Sequence, residues 1–191
     1  GIAGAGGEET LVLVRPHAAG GGLEVFLRTP DRDGLFAAIV ATFDRLGLNV
    51  LEARVLNSSD GHALDTFQLI APQGIAPEAD AVVAAIKAAL RDPARVRPVR
   101  RAAPRQLRHF RVPARVTFDT VADGRRTRMS LVCTDQPGLL AGVAQVLRQH
   151  RLRLHDARIA TFGEKVEDFF LLTDERNRAI EDQALLDKLS Q

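Results

Sequence analysis

Apolar positions along the chain change period several times, and each change marks an element. Thr10 to Val14 and Leu23 to Thr29 have strand character, and Gly20, Gly21 and Gly22 between them give a hairpin signal. From Leu35 the period lengthens. Leu35, Phe36, Ile39, Val40, Phe43 and Leu46 form one stripe at helical spacing, with Gly47 placed to end the helix. Strand spacing returns in Leu48–Leu56 and Ala63–Ile70, a second hairpin about Asp60-Gly61. A second helix is expected from Pro77, a favourable first-turn residue, with Val82, Val83, Ile86 and Leu90 inward. It ends at Asp92-Pro93, because a residue before proline is pushed out of helical geometry.

The second half repeats this order. Strands are expected near 115–119 and 126–134, then a helix after Pro137 with Leu139, Leu140, Val143, Val146 and Leu147 inward. A hairpin near 151–173 and a last helix near 178–190 follow. The text repeats as well as the pattern. Asp31-Arg32-Asp33-Gly34-Leu35-Phe36 returns 104 residues later as Asp135-Gln136-Pro137-Gly138-Leu139-Leu140, and Leu51-Glu52-Ala53-Arg54-Val55 returns as His155-Asp156-Ala157-Arg158-Ile159. After a one-residue deletion, Asp65-Thr66-Phe67 returns as Asp168-Phe169-Phe170. Two copies of one domain are implied, with a flexible end at 1–9, units at 10–95 and 113–191, and an Arg-rich linker at 96–112.

Each unit therefore reads β-β-α-β-β-α, an α+β fold one step from the ferredoxin-like β-α-β-β-α-β plan with its last strand moved to the front. Leu11–Val14 and Val116–Phe118 are expected to fill the fourth-strand positions. Exchange of these strands between units is the alternative.

Composition narrows the function. At 191 residues, 46% hydrophobic and 26% charged, the chain is ordinary globular material, enough for two domains. The longest apolar runs, such as Leu35–Phe43, fall short of the roughly 20 residues of a membrane span, so no membrane contact is expected. Cys133 is the only cysteine, which rules out an internal disulfide and fits a reducing, cytoplasmic setting; in Leu131-Val132-Cys133 it reads as a buried core thiol. A net charge of +2 is too small to imply nucleic acid, although arginine is dense from Arg91 to Arg128. An RNA-binding sheet needs exposed aromatics, and the chain has no Trp or Tyr. The five histidines have no ligand spacing, and there is no P-loop, no cysteine pair for zinc and no His-Asp doublet of the kind a metal-dependent phosphohydrolase uses, so neither a metal site nor catalysis is expected here. Gly1–Glu8 reads as a cut end within a longer protein.

The repeated motif lies where a strand ends and a helix begins. Helix starts carry unpaired N–H groups and the positive end of the dipole, and so hold carboxylates. Gly34 and Gly138 allow close approach, and a nearby Asp pairs with an ammonium. Such a site suits a free amino acid. The plainer reading makes Asp31 and Asp135 helix caps. Asp65 and Asp168 read as strand-to-loop or interdomain contacts, Phe67, Phe169 and Phe170 as core, and Arg54 and Arg158 as partners of neighbouring acids.

Asp31 to Asn49, with its Leu48-Asn49-Val50 strand entry, resembles an ACT domain, and Asp135 to Leu154 resembles a second. Leu11-Val12-Leu13-Val14-Arg15-Pro16-His17, Phe36-Ala37-Ala38, Asp65-Thr66-Phe67, Arg108-His109-Phe110, Asp135 to Ala141 and Val166-Glu167-Asp168 follow in the order of the carboxy-terminal tandem ACT region of the PII uridylyltransferase/uridylyl-removing family. The resemblance spans about residues 10–190. It implies a non-catalytic, glutamine-sensing module, with catalytic domains upstream that use UTP and a divalent metal and act on the PII protein. It further implies ACT–ACT pairing, within the chain or in a dimer. Carried across, the effector sites are Asp31, Arg32, Asp33, Gly34, Leu35 and Phe36, and Asp135, Gln136, Pro137, Gly138, Leu139 and Leu140. The strand entries Asn49-Val50 and Arg153-Leu154 form the facing walls. Within this set, Asp135 and Asn49 are the expected polar contacts, and the N–H groups of Gly34, Leu35, Gly138 and Leu139 the expected carboxylate holders. The alternatives are a structural or dimerisation module and a sensor of a different amino acid.

Overall fold

A computed structural model describes residues 10–17, 21–72, 74–97, 112–136 and 138–190. The first half contains β1 (Leu11–Pro16), β2 (Leu23–Pro30), α1 (Leu35–Arg45), β3 (Asn49–Asn57), β4 (His62–Ile70) and α2 (Ala79–Arg91), then a 3-10 turn at Pro93–Arg95. The second contains β5 (Arg115–Thr120), β6 (Thr127–Thr134), α3 (Leu139–Gln149), β7 (Arg153–Phe162), β8 (Lys165–Thr173) and α4 (Gln183–Leu189). The expected 1–9 end, Gly20, most of the Arg-rich 96–112 segment and Pro137 lie outside the described residues.

All eight strands join one antiparallel sheet in the order β1-β2-β4-β3-β7-β8-β6-β5. β1 pairs with β2 (Leu11 opposite Arg28) and β5 with β6 (Arg115 opposite Val132), so each leading strand fills the fourth-strand place of its own half and no exchange occurs. The halves meet where β3 runs antiparallel to β7, with Arg54 opposite Arg158.

Alternation decides which face is covered. In β2, Leu23, Val25 and Leu27 point to the core, joined from β4 by Ala63, Phe67 and Leu69. Each apolar side chain fully removed from water contributes about 1.5–3 kcal/mol. Phe43 of α1 meets Phe67 edge to face, with ring centres 5.0 Å apart. α1 and α3 pack against each other over the β3/β7 seam. Phe170 is fully buried as expected, but its neighbour Phe169 is 44% exposed, since adjacent strand residues face opposite sides of the sheet.

Gly47 ends α1 at φ +75°, where the Leu48 N–H donates to the Phe43 carbonyl (3.0 Å). In the second half Arg151 takes the same left-handed turn at φ +55°. α2 begins at Ala79, two residues beyond the expected start. The last helix is shorter than expected because polar groups hold the chain ahead of it. Asp174 accepts from the Arg176 and Arg178 N–H groups (2.8 and 2.9 Å), and Thr127 Oγ1 accepts from the buried Ile180 N–H (2.9 Å). The helix then starts from an Asp182 cap, which accepts from Leu185 N–H.

Candidate functional site

Each repeated loop opens its helix without a side-chain cap. Gly34 and Gly138 stand at the helix starts with φ +80° and +78°, a conformation that glycine adopts without strain. Asp31 and Asp135 therefore do not cap, contrary to the plainer reading. The Asp31 N–H donates to the Gly61 carbonyl (2.9 Å) and the Asp135 N–H to the Glu164 carbonyl (2.8 Å), which ties each loop to the hairpin turn beside it. Two of the four N–H groups expected to hold a carboxylate are already engaged. The Leu35 N–H is taken by the Arg32 carbonyl (3.2 Å) and the Leu139 N–H by the Gln136 carbonyl (3.1 Å). With Ala38 N–H bonded to the Gly34 carbonyl (3.0 Å), the N–H groups of Phe36 and Ala37 are left without a partner among the described residues.

The seam brings each loop against the start of the other half's third strand, β7 or β3. The first cleft, about 1010 Å³, is lined by Asp31, Arg32, Asp33, Gly34, Leu35 and Phe36, and across the seam by Arg153 and Leu154. Asn57 spans it, its Nδ2 donating to Asp31 Oδ2 (3.1 Å) and to the Leu154 carbonyl (3.2 Å). Arg32 turns its guanidinium to the Leu90 carbonyl near the end of α2. Arg153 donates to Asn177 Oδ1 (3.0 Å). The second cleft, about 40 Å³, is lined by Asp135, Gln136, Gly138, Leu139 and Leu140 against Asn49 and Val50. Pro137 lies outside the described residues. β3 and β7 shift register at equivalent places, between Val50 and Glu52 and between Leu154 and Asp156, which bends each strand entry beside its cleft.

Among the lining residues that sequence reading did not place at a site are Asp65, Arg148 and Asn57 in the first cleft and Asp44 and Asp168 in the second. Asp65 is 1% exposed and Asp168 2% exposed. Burial pushes the Asp65 carboxyl up to about 8 against a stabilising Leu56 backbone N–H, and the nearby Asp31 adds to the rise. Burial likewise pushes Asp168 up to about 7, although it accepts from Ala160 N–H (3.3 Å). Asp31 and Asp135 are raised by partial burial, and His155, beside the first cleft, is lowered by burial and by nearby arginines. Each cleft thus pairs loop carboxylates, Asp31 and Asp33 in the first and Asp135 in the second, with one buried strand carboxylate. The signal for the latter was present: Asp65 is in phase with the core residues Ala63, Phe67 and Leu69, and an acid on a core face needs a reason.

Arg54 pairs with Asp156 at 3.6 Å on the exposed face of the seam, as expected of a partner to a neighbouring acid. Among the described residues no cluster of three or more His, Cys, Asp or Glu side chains is arranged to hold a metal ion, and no helix is long and apolar enough to cross a membrane.

Comparison with known proteins agrees with this architecture. Residues 17–91 match the family model described as the plant bHLH transcription factor, ACT-like domain. A bifunctional uridylyltransferase/uridylyl-removing enzyme of Xanthomonas campestris pv. campestris is 54% identical over 173 residues, covering 87% of this chain and 20% of the relative. One from Xanthomonas oryzae pv. oryzae is 53% identical over 178 residues, again 87% and 20%. One from Methylococcus capsulatus is 40% identical over 179 residues, 91% of this chain and 20% of the relative. The chain spans about a fifth of the length of these relatives. It is therefore an ACT-like regulatory region that matches the carboxy-terminal part of the bifunctional uridylyltransferase/uridylyl-removing enzymes.

Proposed function

We propose that this region senses a free amino acid, glutamine, on behalf of a bifunctional uridylyltransferase/uridylyl-removing enzyme that modifies the PII protein with UTP and a divalent metal in domains elsewhere in the longer chain. The observation that carries this reading is the placement of each helix-opening loop against the other half's strand entry, so that a cleft is made by both halves at once. A ligand held there contacts both halves and favours one relative placement over another. That differential affinity is what regulation requires. A ligand binding all placements equally shifts nothing.

Thermal unfolding with a panel of glutamine, glutamate, asparagine and branched-chain amino acids tests the proposal. A ligand at about 100 times its Kd adds roughly 2.7 kcal/mol, and a chain of this length gains about 2–4 °C per kcal/mol. A shift of several degrees for glutamine supports the sensor. A shift for another amino acid reassigns the effector, and no shift for any supports a purely structural module.

A further inference from the structure

We propose that the two clefts differ in kind: the first takes a zwitterionic α-amino acid, its carboxylate between the start of α1 and Arg148 and its ammonium on Asp65, whereas the second is filled by the chain's own Asp44. The inference rests on the amino-acid-sensing reading above and says where, and through which atoms, the ligand is held.

The repeat makes the comparison direct, since α3 has Arg148 at the position where α1 has Asp44. A Cβ on Gly34 would lie 3.5 Å from Arg148 Cζ, so the guanidinium covers the first turn of α1. Two helix N–H groups are unpaired there, and the Arg148 side chain has no ion pair or hydrogen bond among the described residues. A free cation over a helix start, which is itself positive, calls for an anion. In the same cleft Asp65 Oδ1 is buried without a partner, which calls for a donor. A ligand with a carboxylate and an ammonium a few bonds apart answers both demands.

Among the described residues no arginine lines the second cleft, and its buried strand carboxylate, Asp168, accepts from the Ala160 N–H (3.3 Å). Asp44 sits in the last turn of α1, the wrong end of its own helix for a carboxylate, and is 8% exposed. It shares the small cavity with Gly138 and Leu139, at the start of α3, where a negative charge is favoured. It thus stands in the place that Arg148 and a ligand carboxylate take on the other side. The volumes, about 40 against about 1010 Å³, agree: one cleft is filled and the other is open.

Calorimetric titration of the chain with glutamine tests this. One glutamine per chain is expected. Glutamine α-amide, which lacks the carboxylate, and glutaramic acid, which lacks the ammonium, should each bind at least about tenfold more weakly. Arg148→Gln should weaken glutamine by a similar factor, with no added penalty for the α-amide; Arg148→Lys should restore part of the loss. Asp65→Asn should weaken glutamine with no added penalty for glutaramic acid. Urea midpoints establish that each variant is folded, and the analogue results on the unaltered chain do not depend on any variant. Two glutamines per chain, or analogue penalties that persist undiminished in both variants, overturn this assignment while leaving the sensor reading intact. Binding of no amino acid overturns both.

Discussion

Asp65→Asn should stabilise the protein at neutral pH, and the gain should grow with pH. In the unfolded chain this carboxyl loses its proton near 3.8, whereas burial holds it up to about 8 in the folded chain. Between those values the folded state keeps a proton that the unfolded state has released, so folding stability falls as pH rises. The favourable contribution is complete below about pH 3.8 and is lost as pH climbs through about 8. At pH 7 the accumulated penalty is on the order of 4 kcal/mol. Asparagine cannot ionise, and its carbonyl still accepts the Leu56 N–H. It places an amide NH2 where Oδ1 has no partner, at a cost of about 1–3 kcal/mol. The net gain is then about 1–3 kcal/mol at pH 7, turning to a loss near pH 4, where only the unpaired amide remains. Urea unfolding of both proteins at pH 5, 6, 7 and 8 measures it. The difference in stability should widen by up to about 1.4 kcal/mol per pH unit and flatten above pH 8. A difference that stays constant with pH, or a variant less stable than the parent at pH 8, would refute the argument that Asp65 is buried without an adequate partner.

Gly34→Ala should lower stability by about 1–2 kcal/mol through backbone strain at φ +80°, seen as a lower Tm; the space itself accommodates a methyl, since the nearest atom would be 3.5 Å away. Thr127→Val should cost about 1–3 kcal/mol in urea unfolding by removing the acceptor of the buried Ile180 N–H, and should speed hydrogen exchange at that amide. Cys133, buried and pushed up to about 11 by desolvation and two nearby aspartates, should resist a thiol reagent at pH 8 until the chain is unfolded in urea, where labelling should be fast.

The sheet was legible because the pattern was repeated. Leu23, Val25 and Leu27 alternate cleanly, the stripe from Leu35 to Phe43 has one period, and the β-β-α-β-β-α order pointed the leading strands to the fourth position. Element ends were less legible where polar side chains decide them. The Asp174 turn and the Thr127–Ile180 bond are tertiary facts that no local propensity encodes. The loops and facing strand entries of the clefts followed from the repeat plus the family resemblance. The buried carboxylates needed one more step, reading Asp65 as a polar residue on a core face. The Arg148/Asp44 contrast was visible as text, but its meaning depends on which helix start each residue faces across the seam.

The seam has a consequence for how the two clefts came to differ. Its ladder is centred on Arg54 opposite Arg158, the same position of the two copies, which is the arrangement a twofold axis imposes on paired identical chains. In such a homodimer every substitution appears twice, so an arginine that opens one cleft would open the other, and an acid that fills one would fill both. Joining the copies in one polypeptide removes that constraint. Each side can then carry its own charge, and the open and filled clefts are present in a ratio of one to one at every protein concentration.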